Sequence, residues 1–161
     1  MIVSIITSVI IFLYLLFQSI KDAKSMSVYS IPNNIALFFS IGLYVWDCFH
    51  LGINLSWECI IIMIAIVFGK IIGSYGTGDM KAMIVIYFML RYWYPSYPHP
   101  STAVFLLVIL ISNLLFLLYY GINKVKAFRK KESFQKKKAA YFPVLTIGYV
   151  IGVILGIMIS L

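Results

Sequence analysis

The chain opens on twenty residues, Met1 to Ile20, without one charged side chain, and five further apolar runs follow it. A helix that crosses a bilayer needs about 20 mostly apolar residues, since the hydrocarbon layer offers the backbone no water to bond. The runs cover roughly Met1–Ile20, Ile31–Trp46, Trp57–Ile72, Met80–Tyr94, Thr102–Tyr120 and Phe142–Leu161. The fourth is short and carries Lys81 and Arg91 at its two ends. Strands of a membrane barrel would alternate apolar and polar residues, whereas these runs are apolar throughout. The sequence therefore predicts an all-α fold: a polytopic membrane protein with a six-transmembrane-helix bundle, forming one domain over residues 1–161. Only 11% of residues are charged, against about a quarter in a soluble domain. The first run lacks a basic n-region and a small-x-small cleavage site, so it is expected to be a retained span rather than a signal peptide. Cys48 and Cys59 form neither a CxxC motif nor a disulfide framework.

The net charge of +8 is distributed unevenly. Lys21 and Lys24 follow the first run, Lys70 and Lys81 flank the 73–79 turn, and eight lysines and arginines lie between 124 and 138. Twelve of the thirteen basic residues thus fall on one side of a simply alternating topology, and only Arg91 falls on the other. Basic residues favour cytoplasmic loops. The expected protein is a multi-pass component of the cell membrane, with both termini outside and the 21–30, 73–79 and 121–140 loops in the cytoplasm. The basic run then touches anionic lipid headgroups, so the expected partner is the lipid bilayer and no nucleic acid is implied. Gly148, Gly152 and Gly156 form a small-xxx-small ridge in the last run. Such a ridge lets two helices approach closely, either within the bundle or in a homodimer.

Five acidic residues remain to be placed. Asp47 and Glu58 flank an outer loop as solvated ends, and Glu132 sits within the basic run. Elimination leaves Asp22 and Asp79, each beside an apolar run on the cytoplasmic side. Asp79 lies twelve residues before Arg91, about 18 Å along a helix. The hydrocarbon core is about 30 Å thick, so Asp79 would lie below the inner surface, where an ionisable residue is costly and marks a functional candidate. The competing reading makes Asp79 the N-cap of the fourth helix, with Gly76 and Gly78 supplying the turn. Both readings can hold at once, since glycines without side chains would let a substrate strand approach the carboxylate. Asp22 alone reads as a solvated helix end. With Asp79 it suggests aspartic hydrolysis, in which one carboxylate is ionised and activates water while the other donates a proton. His50 and His99 lie in outer loops with no third ligand, so neither a metal nor a cofactor is expected. A Ser–Lys pair, Ser74 with Lys70 or Lys81, is the alternative nucleophile.

The motif "GTGDMK" at 76–81 resembles the GxGD motif of the type IV prepilin peptidases, intramembrane aspartic proteases with six spans. "IPN" at 31–33, following an aspartate at the end of the first run, resembles the same family's first-aspartate region, and "YFPVLTIG" at 141–148 is similar to the opening of its last helix. The resemblance covers nearly the whole chain. It implies a membrane aspartic endopeptidase that cleaves the short basic leader of prepilin-like proteins at the cytoplasmic membrane face, before they assemble into pili or related filaments. Asp22 and Asp79 are then the catalytic aspartates, and Gly76, Gly78, Pro32 and Asn33 support the motif. Asp22 stands nine residues before Ile31, a longer separation than the family pattern implies. The absence of CxxC pairs matches the short, peptidase-only members.

Two rival readings remain, one within the same chemistry and one from another class. Another GxGD protease acting on signal peptides would carry its first aspartate deep in a helix, often after Tyr, whereas Asp22 follows Lys21. A non-catalytic membrane subunit or small transporter would use Asp79 as an ion or packing residue, but transporters often show repeated halves and this chain shows none. The asymmetry of basic residues makes the topology testable. Cys48 should react with a membrane-impermeant thiol reagent added outside intact cells, while a reporter fused near residue 130 should read as cytoplasmic. Protection of Cys48 with outside labelling of the 121–140 loop would invert the orientation.

Overall fold

The computed structural model describes residues 2–25, 27–50, 57–72, 76–90, 98–129 and 141–160. These form six helices and, among the described residues, no strand: α1 (Ile2–Ser25), α2 (Ser30–His50), α3 (Trp57–Ile71), α4 (Thr77–Leu90), α5 (Pro98–Arg129) and α6 (Phe142–Ser160). Ser74, Arg91 and Glu132 lie outside the described residues, as do 51–56 of the first outer loop, 91–97 of the second and 130–140 of the basic loop.

Over the described residues all six apolar runs form helices, but several helices outrun them. α1 continues over Lys21 to Ser25, and α5 continues past Tyr120 to Arg129. The apolar pattern stops at these points, yet no proline breaks the helix, and Lys, Ala and Arg are good helix formers. α4 starts three residues before Met80, which places Asp79 inside its first turn.

The cluster is organised around α4, which packs against α1, α2, α3 and α5. Every residue from Val85 to Leu90 is buried, together with Ala82 and Met83. A helix apolar on all sides needs neighbours on all sides. α6 lies against α5 and α1. α3 turns Cys59, Ile62 and Ile66 inward at helical spacing. Along α1 the inward face runs Thr7, Ile11, Leu15, Gln18, Ser19, Asp22, so it changes from apolar to polar toward the end of the helix. The outward surface is the reverse of a soluble protein's: Ile31, Phe38, Phe49, Trp57 and Met158 are all at least two-thirds exposed. Two helices, Ile6–Ser25 within α1 and Thr102–Ile122 within α5, are long and apolar enough to cross a membrane, and Phe142–Met158 is a shorter apolar helix.

The glycine ridge packs within the chain. A Cβ added at Gly152 would meet Val108 Cγ2 at 2.7 Å and the Val108 backbone nitrogen at 3.1 Å. Gly148 faces Ser112 and Gly156 faces Val104 in the same way, so α5 fills the ridge and a second copy would have to use another surface. Gly42, by contrast, has nothing within 4 Å of an added Cβ. Gly152→Leu should therefore lower stability by roughly 1–3 kcal/mol, the usual cost of overpacking, and Gly42→Leu should not. Thermal retention of the detergent-extracted protein on a sizing column measures both. Equal stability of the two variants would mean that close α5–α6 packing contributes nothing.

Candidate functional site

The polar residues of the interior gather where α1 ends and α2, α4 and α6 begin. Four of them come from α1 alone. Tyr14, Gln18 and Asp22 recur every four residues, so they share a face, and Ser19 lies beside them. Ser19 and Thr146 of α6 are joined through hydroxyls 2.6 Å apart. Gln18 accepts from the backbone N–H of Tyr29 at 2.9 Å and donates to its carbonyl at 3.1 Å, bracketing the residue that precedes α2. Tyr29 also stacks on Phe17, and the Lys21 ammonium lies 5.2 Å from the centre of its ring.

Asp22 belongs to the last turn of α1 and is 8% exposed. It is therefore not the solvated helix end that its position in sequence suggests. Its Oδ2 accepts the backbone N–H of Phe142, the first residue of α6, at 3.0 Å. The first N–H groups of a helix have no partner within it, and the positive end of the helix dipole favours an anion there. Pro143 has no N–H to satisfy. The aspartate that answers the N-terminus of α6 thus comes from the opposite end of the chain.

Asp79 has a parallel arrangement at α4. It was expected as an N-cap, but Gly76 holds that position, since its carbonyl accepts the first helical bond from Met80 at 3.0 Å. Asp79 is the third helical residue, and its Oδ2 accepts the Gly76 N–H at 2.9 Å. This is the returning half of a capping box. Among the described residues no hydrogen-bond donor reaches Oδ1 of either aspartate, which leaves one oxygen of each carboxylate uncommitted. The two aspartates come from different helices, α1 and α4, which pack against one another. Among the described residues they join no larger group of His, Cys, Asp or Glu.

The neighbouring motif residues hold this geometry. Asn33 is 1% exposed; it accepts from the Tyr14 hydroxyl and donates through Nδ2 to the Gly78 carbonyl at 3.2 Å. Pro32 sits in the first turn of α2, where a missing N–H costs nothing. Gly78 is required sterically, because an added Cβ would come 2.5 Å from Val28 Cγ2. The space left by that glycine is thus taken by Val28 and not kept open for a substrate strand. Lys81 donates to Asn34 at 2.5 Å. Glu58, expected to be solvated, accepts from Thr102 at 3.3 Å and so ties α3 to α5. His50 stacks on Trp46, with ring centroids 3.7 Å apart.

An apolar groove of about 360 Å³ runs between α3 and α5, with Met83 of α4 at its floor and Asn113 and Tyr141 at its polar end. Neither aspartate lines it, but Tyr141 immediately precedes the residue that Asp22 holds.

Comparison with protein-family models, curated proteins and solved structures gives no match to this chain.

Proposed function

We propose that this chain is a multi-pass membrane aspartic endopeptidase of the prepilin-peptidase type. It would remove the short basic leader of prepilin-like proteins at the cytoplasmic membrane face. The observation that carries the reading is that Asp22, from the end of α1, and Asp79, of the "GTGD" turn on the adjoining α4, each hold a backbone N–H at the start of a helix at the polar end of the cluster. The six-span topology is supported by the two long apolar helices and by the large apolar side chains on the outward face. The expected orientation puts the aspartates on the cytoplasmic side with the basic loops.

The chemistry follows from the pair. Two neighbouring carboxylates do not readily both ionise, so they share one proton. The ionised member removes a proton from water as the oxygen attacks the scissile carbonyl carbon, and the protonated member donates to the carbonyl oxygen. Collapse of the tetrahedral diol breaks the C–N bond and passes a proton to the leaving amine. One water is consumed, and a carboxyl and an amino terminus are produced. The Oδ1 atoms, which no donor among the described residues reaches, would do this work, while each Oδ2 remains on its backbone N–H. No cofactor takes part in this scheme.

One observation favours a different reading. Both aspartates accept N–H groups at helix N-termini, so each could be a structural cap in a non-catalytic membrane subunit. Substitution by Asn separates the two, because an amide oxygen can still accept the same backbone N–H but Asn cannot exchange a proton in this role. Asp79→Asn and Asp22→Asn should each reach the membrane in wild-type amounts with little loss of thermal stability. Each should cut a co-expressed prepilin at least about 100-fold more slowly, the scale of acid–base catalysis. Cleavage by Asp79→Asn at close to the wild-type rate would end the peptidase reading in favour of the caps.

A further inference from the structure

We infer that Tyr14 and Asn33 form a positioning unit that sets where the Asp79 carboxylate stands relative to Asp22. The inference rests on the peptidase reading for its catalytic consequence and on hydrogen bonding alone for its structural one.

Asn33 is the centre of the unit. Its side-chain amide is buried, and both ends are used: Oδ1 accepts from Tyr14 on α1, and Nδ2 donates to the carbonyl of Gly78, the residue before Asp79. The amide cannot be turned over, because its oxygen would then face the Gly78 carbonyl oxygen with no proton between them. A carbonyl oxygen has two lone pairs, so Gly78 can accept from Asn33 without giving up a helical bond. Val28 presses on Gly78 from the same 28–33 stretch. The first turn of α4 is therefore located by one hydrogen bond and one steric contact, both from the segment that opens α2.

Tyr14 carries this location back to the first aspartate. It lies eight residues before Asp22 on the same helix and the same face, about 12 Å along the axis. The path from Tyr14 through Asn33 to Gly78 thus connects the helix that bears Asp22 to the turn that bears Asp79. α1 and α4 also touch directly, but among the described residues it is this hydrogen-bonded path that reaches the backbone beside the carboxylate. The Tyr14 hydroxyl donates its hydrogen bond to Asn33 and not to a carboxylate. Tyr14 is accordingly a positioning residue and not an acid. The requirement on sequence is narrow: a hydroxyl at 14, a group at 33 that both accepts and donates, and no side chain at 78.

The test uses the full chain reconstituted in lipid. Tyr14→Phe removes one oxygen and keeps the ring, Asn33→Ala removes the whole bridge, and Tyr149→Phe removes a comparable hydroxyl that bonds Ser8 elsewhere on the α1–α6 contact. Backbone hydrogen exchange over residues 79–83 should quicken in the order wild type, Tyr14→Phe, Asn33→Ala, with Tyr149→Phe unchanged there. On a prepilin substrate, kcat should fall by about tenfold or more in the same order with KM little altered, since misplacement by an ångström can cost about 100-fold. A purely structural role would lower the melting temperature and leave kcat per folded molecule as it was. Unchanged exchange at 79–83 in Tyr14→Phe and Asn33→Ala overturns the inference, even in a chain that cleaves nothing. Unchanged kcat in variants whose exchange has quickened overturns it equally. A wild-type chain that fails to cleave would instead sink the peptidase reading and leave the exchange result to decide the structural claim.

Discussion

The first N–H groups of a helix have no partner within it, and the arrangement of this molecule depends on how those of α4 and α6 are met. α4 has only 14 residues, too few to be stable alone, and it is buried throughout from Val85 to Leu90, so its neighbours have to enclose it there. Its first turn opens at the edge of the cluster, where Gly76 and Thr77 are exposed and Asp79 is half-buried. Gly76 supplies the donor and Asp79 the acceptor. At α6 the same need is met by Asp22, reaching across from α1. Two carboxylates are thereby drawn to one end of the cluster by the demands of two different helices.

Such an arrangement is costly unless it is also used. Burying one carboxylate carries a desolvation penalty, and placing a second nearby adds repulsion. The backbone N–H groups offset part of this for each aspartate. Capping and catalysis are therefore compatible uses of the same side chains. The cap takes one oxygen of each carboxylate and leaves the other oxygen accessible to chemistry.

Much of this was legible in the order of residues, and the physical reasons for the rest are specific. Charge-free runs locate helices because a buried helix tolerates few charges. They do not locate helix ends, which is why α1 and α5 extend beyond their apolar stretches. Asp22 and Asp79 stand out through the scarcity of acids, and the glycine ridge through its four-residue spacing. The cap of α4 was expected one turn position away from where it lies, since Asp serves equally well at the N-cap and at the third helical position. Tyr14 and Gln18 were missed. Their spacing to Asp22 is visible in the sequence, but their partners are Asn33 in α2 and Tyr29 just before it, and no local pattern reports a contact between separate elements. Glu58 escaped for the same reason, because Thr102 is 44 positions away.

The claim on which the account rests is that Asp22 and Asp79 occupy one site, and proximity can be measured without reference to activity. In a chain with Cys48→Ala and Cys59→Ala, the pair Asp22→Cys and Asp79→Cys would be treated with a short bifunctional thiol reagent and scored by mass. The pair Ser19→Cys and Thr146→Cys, whose native hydroxyls are 2.6 Å apart, serves as the positive control. The account predicts an intramolecular cross-link in both chains. A chain that links 19 to 146 but leaves 22 and 79 separately modified would contradict it.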